Sequence, residues 1–192
     1  MTLNYYQNNA QTFFDGTVNV DMTSLYADFI RHLPQHALVL DAGCGSGRDA
    51  LAFYQQGYRV EAFDASPELV VLARQHTNLP VKHMTFTELD AVQKYEGIWC
   101  CASLLHVPYA ELPGVMDKLA NALKPDGIWY LSFKYGDGER EQTGRRFSDM
   151  NESRLAGLIA ALPDIAAEAV WTTQDKRPDR HEIWLNALLK KR

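Results

Sequence analysis

Cysteine is scarce in this sequence. Cys44 stands alone and Cys100 and Cys101 are adjacent, an odd count that does not suit a disulfide framework. No CxxC pair occurs and no Cys–His spacing suits zinc, so no metal is expected and a reducing compartment is indicated. Long apolar runs are missing too: none approaches the roughly 20 residues needed to cross a bilayer. The start, MTLNYYQNNA, lacks the cationic and apolar stretches of a secretory leader. The expectation is a cytoplasmic protein without a membrane partner. Excess positive charge is also lacking. Nineteen Lys and Arg oppose 24 Asp and Glu, for a net charge of −5. That argues against holding a nucleic-acid backbone by bulk electrostatics.

What remains describes a globule. Of the 192 residues, 46% are hydrophobic and 22% charged, enough for the core of one domain. Short apolar runs alternate with helix-period stretches. Runs at 37–40, 58–63, 81–85, 97–102 and 127–133 read as strands, and so do 167–172 and 182–189. Helical spacing marks 48–56, a segment opened by Ser66 and Pro67, 110–123, and a stripe of Leu155, Leu158, Ile159 and Leu162. Strand–helix alternation implies a parallel sheet covered on both faces. The last two strands are only about nine residues apart, too few for a crossover helix, so they must pair antiparallel.

Chemistry concentrates at VLDAGCGSGR, residues 39–48. A buried strand meets a glycine-rich turn that opens a helix, where backbone can approach a ligand closely. The dinucleotide pattern GxGxxG fails from Gly43, where Arg48 takes the last position. From Gly45 it survives only in its variant ending at Ala50. Asp41 weighs against a pyrophosphate and suits an ammonium group. Asp64 ends the second strand, where a carboxylate accepts two ribose hydroxyls. Its alternative role is to complement the next helix N-terminus.

VLDAGCGSGRDAL, VEAFDASPELVVLAR, LLHV and LKPDGIWYLSF together resemble the successive motifs of class I S-adenosylmethionine (SAM)-dependent methyltransferases. GSGRDALAFYQQGYRV and YYQNNAQTFF are similar to the small tellurite-resistance group of that class. The resemblance implies an α/β, Rossmann-like three-layer sandwich. Its seven-stranded, mostly parallel sheet has order 3-2-1-4-5-7-6, with strand 7 antiparallel. It implies one domain over 1–192, with a helical cap at 1–33 and the sheet core at 34–192. It further implies SAM as cofactor, held by Asp41, Gly43, Cys44, Gly45, Arg48, Asp64, Ala65, Ala102 and Tyr6. The family often has an acid after strand 3 to meet the adenine amine. Here Met84-Thr85-Phe86 stands there, leaving Thr85 and Phe86 to serve. No N/D-P-P-Y motif follows strand 4, which argues against methylation of a DNA amino group.

Ligands of open α/β sheets sit beyond the strands' carboxyl ends, so the acceptor is expected among the loops at 103–108, 134–148 and 173–181. His106 is the candidate base, its alternative being a packing histidine. Tyr5, Lys134, Arg146 and Arg180 are candidate acceptor contacts, with Arg145, Arg177 and His181 in the same loops. Trp99, Trp129, Trp171 and Trp184 read as core. The reading is methyl transfer from SAM to a small polar or anionic molecule. An RNA or protein methyltransferase and a non-catalytic SAM-binding module stand as alternatives.

Overall fold

A computed structural model describes residues 1–192. Five parallel strands form the heart of the sheet: β1 (Leu38–Ala42), β2 (Arg59–Asp64), β3 (Val81–His83), β4 (Tyr95–Cys100) and β5 (Leu123–Lys134). β8 (Ile165–Gln174) and β9 (Ile183–Lys191) complete it, giving the order β3-β2-β1-β4-β5-β9-β8 with β9 antiparallel to both neighbours. The expected seven-stranded topology is therefore present, β9 taking the place of strand 7.

Alternation along the central strands divides the core. Leu40, Ile98, Cys100, Trp129, Leu131 and Phe133 pack with α6 (Leu112–Ala122) and α7 (Glu152–Ala160). Val39, Trp99, Ile128 and Tyr130 point the other way, as period-2 side chains must. They meet α3 (Thr23–Ile30) through Leu25, Tyr26 and Phe29, and α4 (Arg48–Gln55) through Phe53. Trp99 and Tyr130 lie opposite each other on β4 and β5, their rings stacked at 3.9 Å.

Local signals explain most element ends. Ser66 caps α5 (Pro67–Thr77), accepting from the Leu69 N–H, with Pro67 at the first position. The third strand stops at His83, short of the expected 85. There Thr85 and Glu88 form a capping box around a 3₁₀ turn at Phe86–Glu88, which takes the backbone out of the sheet. The stretch 134–148, expected as loop, contains a separate hairpin of β6 (Glu139–Gln142) and β7 (Arg145–Ser148). Its two-residue turn, Thr143-Gly144, has both φ positive at 53° and 76°, the signature of a twist-matched hairpin turn. Its strands are too charged to show an apolar alternation.

The chain before β1 forms α1 (Thr2–Asn8), α2 (Ala10–Thr17) and α3. α1 buries no residue. Together α1 and α2 reach the carboxyl edge of the sheet, where the chain leaves the paired strands β1 and β4 toward opposite faces. No helix is long and apolar enough to cross a membrane.

Candidate functional site

Gly43, Gly45 and Gly47 follow β1 with φ of 76°, 54° and 78°. At Gly43 a side chain is excluded twice over, because a Cβ there would lie 2.5 Å from that of Ser103. The Gly43 and Cys44 N–H groups both donate to the Phe63 carbonyl at 2.9 Å, lashing the loop to the end of β2. Asp64 extends the lashing: its Oδ2 accepts from the Gly45 N–H and its Oδ1 from the Ser66 N–H, each at 2.9 Å. Each oxygen keeps acceptor capacity for one further donor. Burial raises the Asp64 pKa, against the lowering by those N–H groups.

Asp41 is 2% exposed, and its Oδ2 has no partner. Burial, then the charge of Asp49, pushes its pKa up. Asp49 is a hub. Its Oδ1 accepts from Arg48 Nε at 2.7 Å and from the Tyr26 phenol. Its Oδ2 accepts from Arg48 Nη2 at 3.2 Å and from Trp99 Nε1 at 2.9 Å. Burial raises the Asp49 pKa, but Arg48's charge and these bonds outweigh it and hold the carboxyl below its ordinary value. The first turn of α4 is thereby bolted to α3 and β4.

Two cavities meet at this edge. One, about 290 Å³, is lined by Asp64, Ala65 and Ser66 after β2, by Met84, Thr85 and Phe86 after β3, and by Ser103 and Val107. The other, about 160 Å³, is lined by Arg48, Lys134, Arg145, Arg177, Arg180 and Trp184, among others. Tyr6, Phe13, Gly43, Gly45, Ala102 and His106 line both and form the shared wall. Ala102 adopts φ 50° there, and its N–H donates to Ser132 Oγ at 2.8 Å. Such a backbone in a non-glycine residue is held by its surroundings.

His106 sits between two partners. Its Nδ1 is 2.8 Å from the Arg146 carbonyl oxygen and its Nε2 is 2.7 Å from Tyr6 Oη. A carbonyl only accepts, so the proton lies on Nδ1 and Nε2 accepts from the phenol. Burial lowers the His106 pKa to about 4 and raises that of Tyr6. Both are therefore neutral at pH 7.

The expected residues divide accordingly. Asp64, Ala65, Thr85 and Phe86 line the larger cavity; Cys44, Arg48, Lys134 and Arg180 line the smaller one; Gly43, Gly45, Ala102, Tyr6 and His106 line both. Burial pushes the Cys44 thiol pKa up, which keeps it unreactive. Asp41 lines neither cavity and lies beneath the loop. Two acceptor-side expectations are corrected. Arg146 contributes its backbone alone, its guanidinium lying at the surface 4.0 Å from Glu141. Tyr5 lines neither cavity and instead lies against Arg145, whose guanidinium is 4.4 Å from its ring centre. Strand alternation turns Arg146 outward and Arg145 inward on β7. Trp184, expected in the core, lines the smaller cavity and donates to Asp175 Oδ2 at 3.1 Å. The Asp49 hub and Phe13 went unread. Phe13 has one signal, its seven-residue spacing from Tyr6, and the two rings meet edge-on at 5.0 Å.

Residues 39–127, which hold the glycine loop, Asp64 and His106, match the family model described as a methyltransferase domain. The ubiquinone biosynthesis O-methyltransferase of Xylella fastidiosa (strain 9a5c) is 35% identical over 103 residues, covering 50% of this chain and 41% of that one. The chain thus spans less than half the length of this relative. Among solved structures, the 1,6-didemethyltoxoflavin-N1-methyltransferase of Burkholderia thailandensis, with its substrate and S-adenosylhomocysteine (SAH) bound, superposes with TM-score 0.78. It is 26% identical, and the match covers 98% of this chain and 84% of that one. The magnesium protoporphyrin IX methyltransferase of Synechocystis PCC 6803, with SAM bound, has TM-score 0.65 at 23% identity, covering 94% of this chain and 79% of that one. The chain has the α/β Rossmann-like methyltransferase fold.

Proposed function

We propose that this chain is a SAM-dependent methyltransferase whose acceptor is a small polar or anionic molecule. The observation that carries the reading is the pair of cavities meeting at Gly43, Gly45, Tyr6 and His106. One suits a nucleoside and the other a second small molecule. Asp64 retains acceptor capacity on both oxygens for the ribose hydroxyls, while Phe86, Met84 and Val107 give the larger cavity apolar surface for adenine. The backbone at Gly43 leaves room that any Cβ would fill. When bound, SAM supplies a sulfonium methyl group that an acceptor nucleophile takes by direct displacement, leaving SAH.

The protein's part is chiefly alignment across the shared wall. Tyr6, donating its own proton to His106 Nε2, turns the lone pairs of Oη toward an acceptor O–H or N–H. A proton leaving the acceptor passes to Tyr6 Oη as Tyr6 hands its own to His106. His106, its pKa lowered to about 4 by burial, holds that proton only transiently and returns it through Tyr6 Oη as product leaves, its Nδ1–H staying on the Arg146 carbonyl. The net charge of −5 and the small volume of the acceptor cavity, about 160 Å³, favour a small molecule over RNA or protein. The relay favours turnover over a passive binding module. Incubation with methyl-labelled SAM and fractionated cell extract tests this. Label should enter the small-molecule fraction, and label only in RNA or protein would contradict the reading.

A further inference from the structure

Resting on the methyltransferase reading, the geometry points to Arg145 as the anchor for an anionic group, a carboxylate or phosphate-like oxyanion, on the methyl acceptor. The smaller cavity is lined by six basic side chains, Arg48, Lys134, Arg145, Lys176, Arg177 and Arg180, against the acids Asp49 and Asp175. Internal pairing removes three of the six. Arg48 is held by Asp49 through two bonds, Lys134 pairs with Glu182, and Arg177 grips Asp175 at 2.9 and 2.6 Å. Lys176 lies outward, on Ser24 Oγ at 2.6 Å. Arg180 is exposed and its side chain makes no ion pair.

Arg145 differs from all of these. No carboxylate lies within ion-pair distance of it, its Nη2 reaches only Thr143 Oγ at 3.1 Å, and its Nε is buried without a partner. Yet it is held in place. Its guanidinium lies 4.4 Å from the Tyr5 ring centre and 5.2 Å from that of Phe147. It also lies within hydrogen-bonding reach of the Tyr6 phenol, lowering that phenol's pKa against the burial that raises it, so the donor left over is chiefly Nε. A buried N–H with no acceptor costs free energy unless a ligand supplies one. A fixed guanidinium fork with unfilled donors is what a planar or tetrahedral oxyanion satisfies. The anchor adjoins the Tyr6–His106 wall, so an anion held there brings the rest of the acceptor to the site of transfer. It also sits beside α1, which Arg145 holds through Tyr5 and which the Arg146 N–H holds through Thr2 Oγ at 2.9 Å.

The test uses the whole chain saturated with SAH and titrated calorimetrically with benzoate, phenylphosphate and benzamide. At least one of the two anions should bind, and more tightly than neutral benzamide; comparing the anions tells carboxylate from phosphate. Arg145→Gln should weaken that anion about 10- to 100-fold while SAH affinity barely changes. Arg145→Lys, which keeps the charge and loses the fork, should retain part of the binding. Arg31→Gln, a charge removed from the exposed residue that follows α3, should behave as wild type. Should Arg145→Gln not fold, Arg145→Lys decides by its loss of affinity. Equal binding of benzamide, no saturable anion binding, or unchanged affinity in the Arg145 variants would overturn the assignment with the methyltransferase reading intact. Failure of SAH itself to bind would overturn both.

Discussion

Replacing Asp49 by Asn is the sharpest test of how the glycine loop is supported. The carboxylate takes both Arg48 bonds, the Trp99 indole N–H and the Tyr26 phenol. Arg48 and Asp49 are only 18% and 7% exposed. Asparagine keeps one acceptor oxygen and turns two N–H donors toward groups that are themselves donors. Arg48 is then a buried cation with no counter-ion, a change that costs about 3–5 kcal/mol. In a chain of this size each kcal/mol moves Tm by about 2–4 °C, so the midpoint should fall by about 6–20 °C. Urea unfolding followed by circular dichroism measures the loss, with an unchanged m-value confirming a like-for-like transition. The loss should persist in 1 M salt, because buried pairs are screened little. Tyr26→Phe, which removes a single donor, should cost about 0.5–1.5 kcal/mol. A loss below 1 kcal/mol for Asp49→Asn, or one that vanishes at high salt, would refute the hub.

Asp64→Ala should weaken SAH binding roughly 10- to 100-fold by calorimetry, the worth of hydrogen bonds to a charged group; an unchanged Kd in a folded variant would leave Asp64 a helix-start residue. Gly43→Ala places a Cβ 2.5 Å from that of Ser103 at φ 76° and should destabilise the chain by about 1–3 kcal/mol. Thermal unfolding with wild-type stability would show the loop to be looser than described. His106 has a folded pKa of about 4, below the 6.5 of a free histidine. Its contribution is therefore complete above pH 6.5 and is lost as pH falls from 6.5 towards 4, with a ceiling of about 3 kcal/mol. Stability measured from pH 7.5 to 4.5 in wild type and His106→Gln should diverge in that window, and parallel curves would contradict the buried neutral imidazole.

The sheet was legible because its strands carry apolar runs with residues of both faces interleaved, as in Ile98-Trp99-Cys100. The short 173–181 connection also dictated an antiparallel end. The glycine-loop wall of the two cavities was legible because it is local: loop, strand end and cap fall within residues 39–66. The acceptor side was not, because it is assembled from distant segments. Which of two adjacent arginines faces the cavity depends on the register of β7, a strand with no apolar alternation to reveal its phase. Tyr6 meets His106 across 100 positions, and neither residue carries a local pattern that names the other. The Asp49 hub was hidden for a related reason. An acid in the first turn of a helix reads as a dipole partner, and only the packing of α3 and β4 against it makes it a buried counter-ion.

Isothermal titration of the full chain with SAH and, separately, with NAD⁺ tests the central claim most directly. Both ligands suit a Rossmann-like glycine loop and a ribose-binding Asp64, but the loop departs from the dinucleotide pattern, with Arg48 where its last glycine would stand after Gly43, and should select the first. The account predicts saturable one-to-one binding of SAH, with about 2.7 kcal/mol of added stability at 100 times Kd, and no heat from NAD⁺. Saturable binding of NAD⁺ with none of SAH would contradict it.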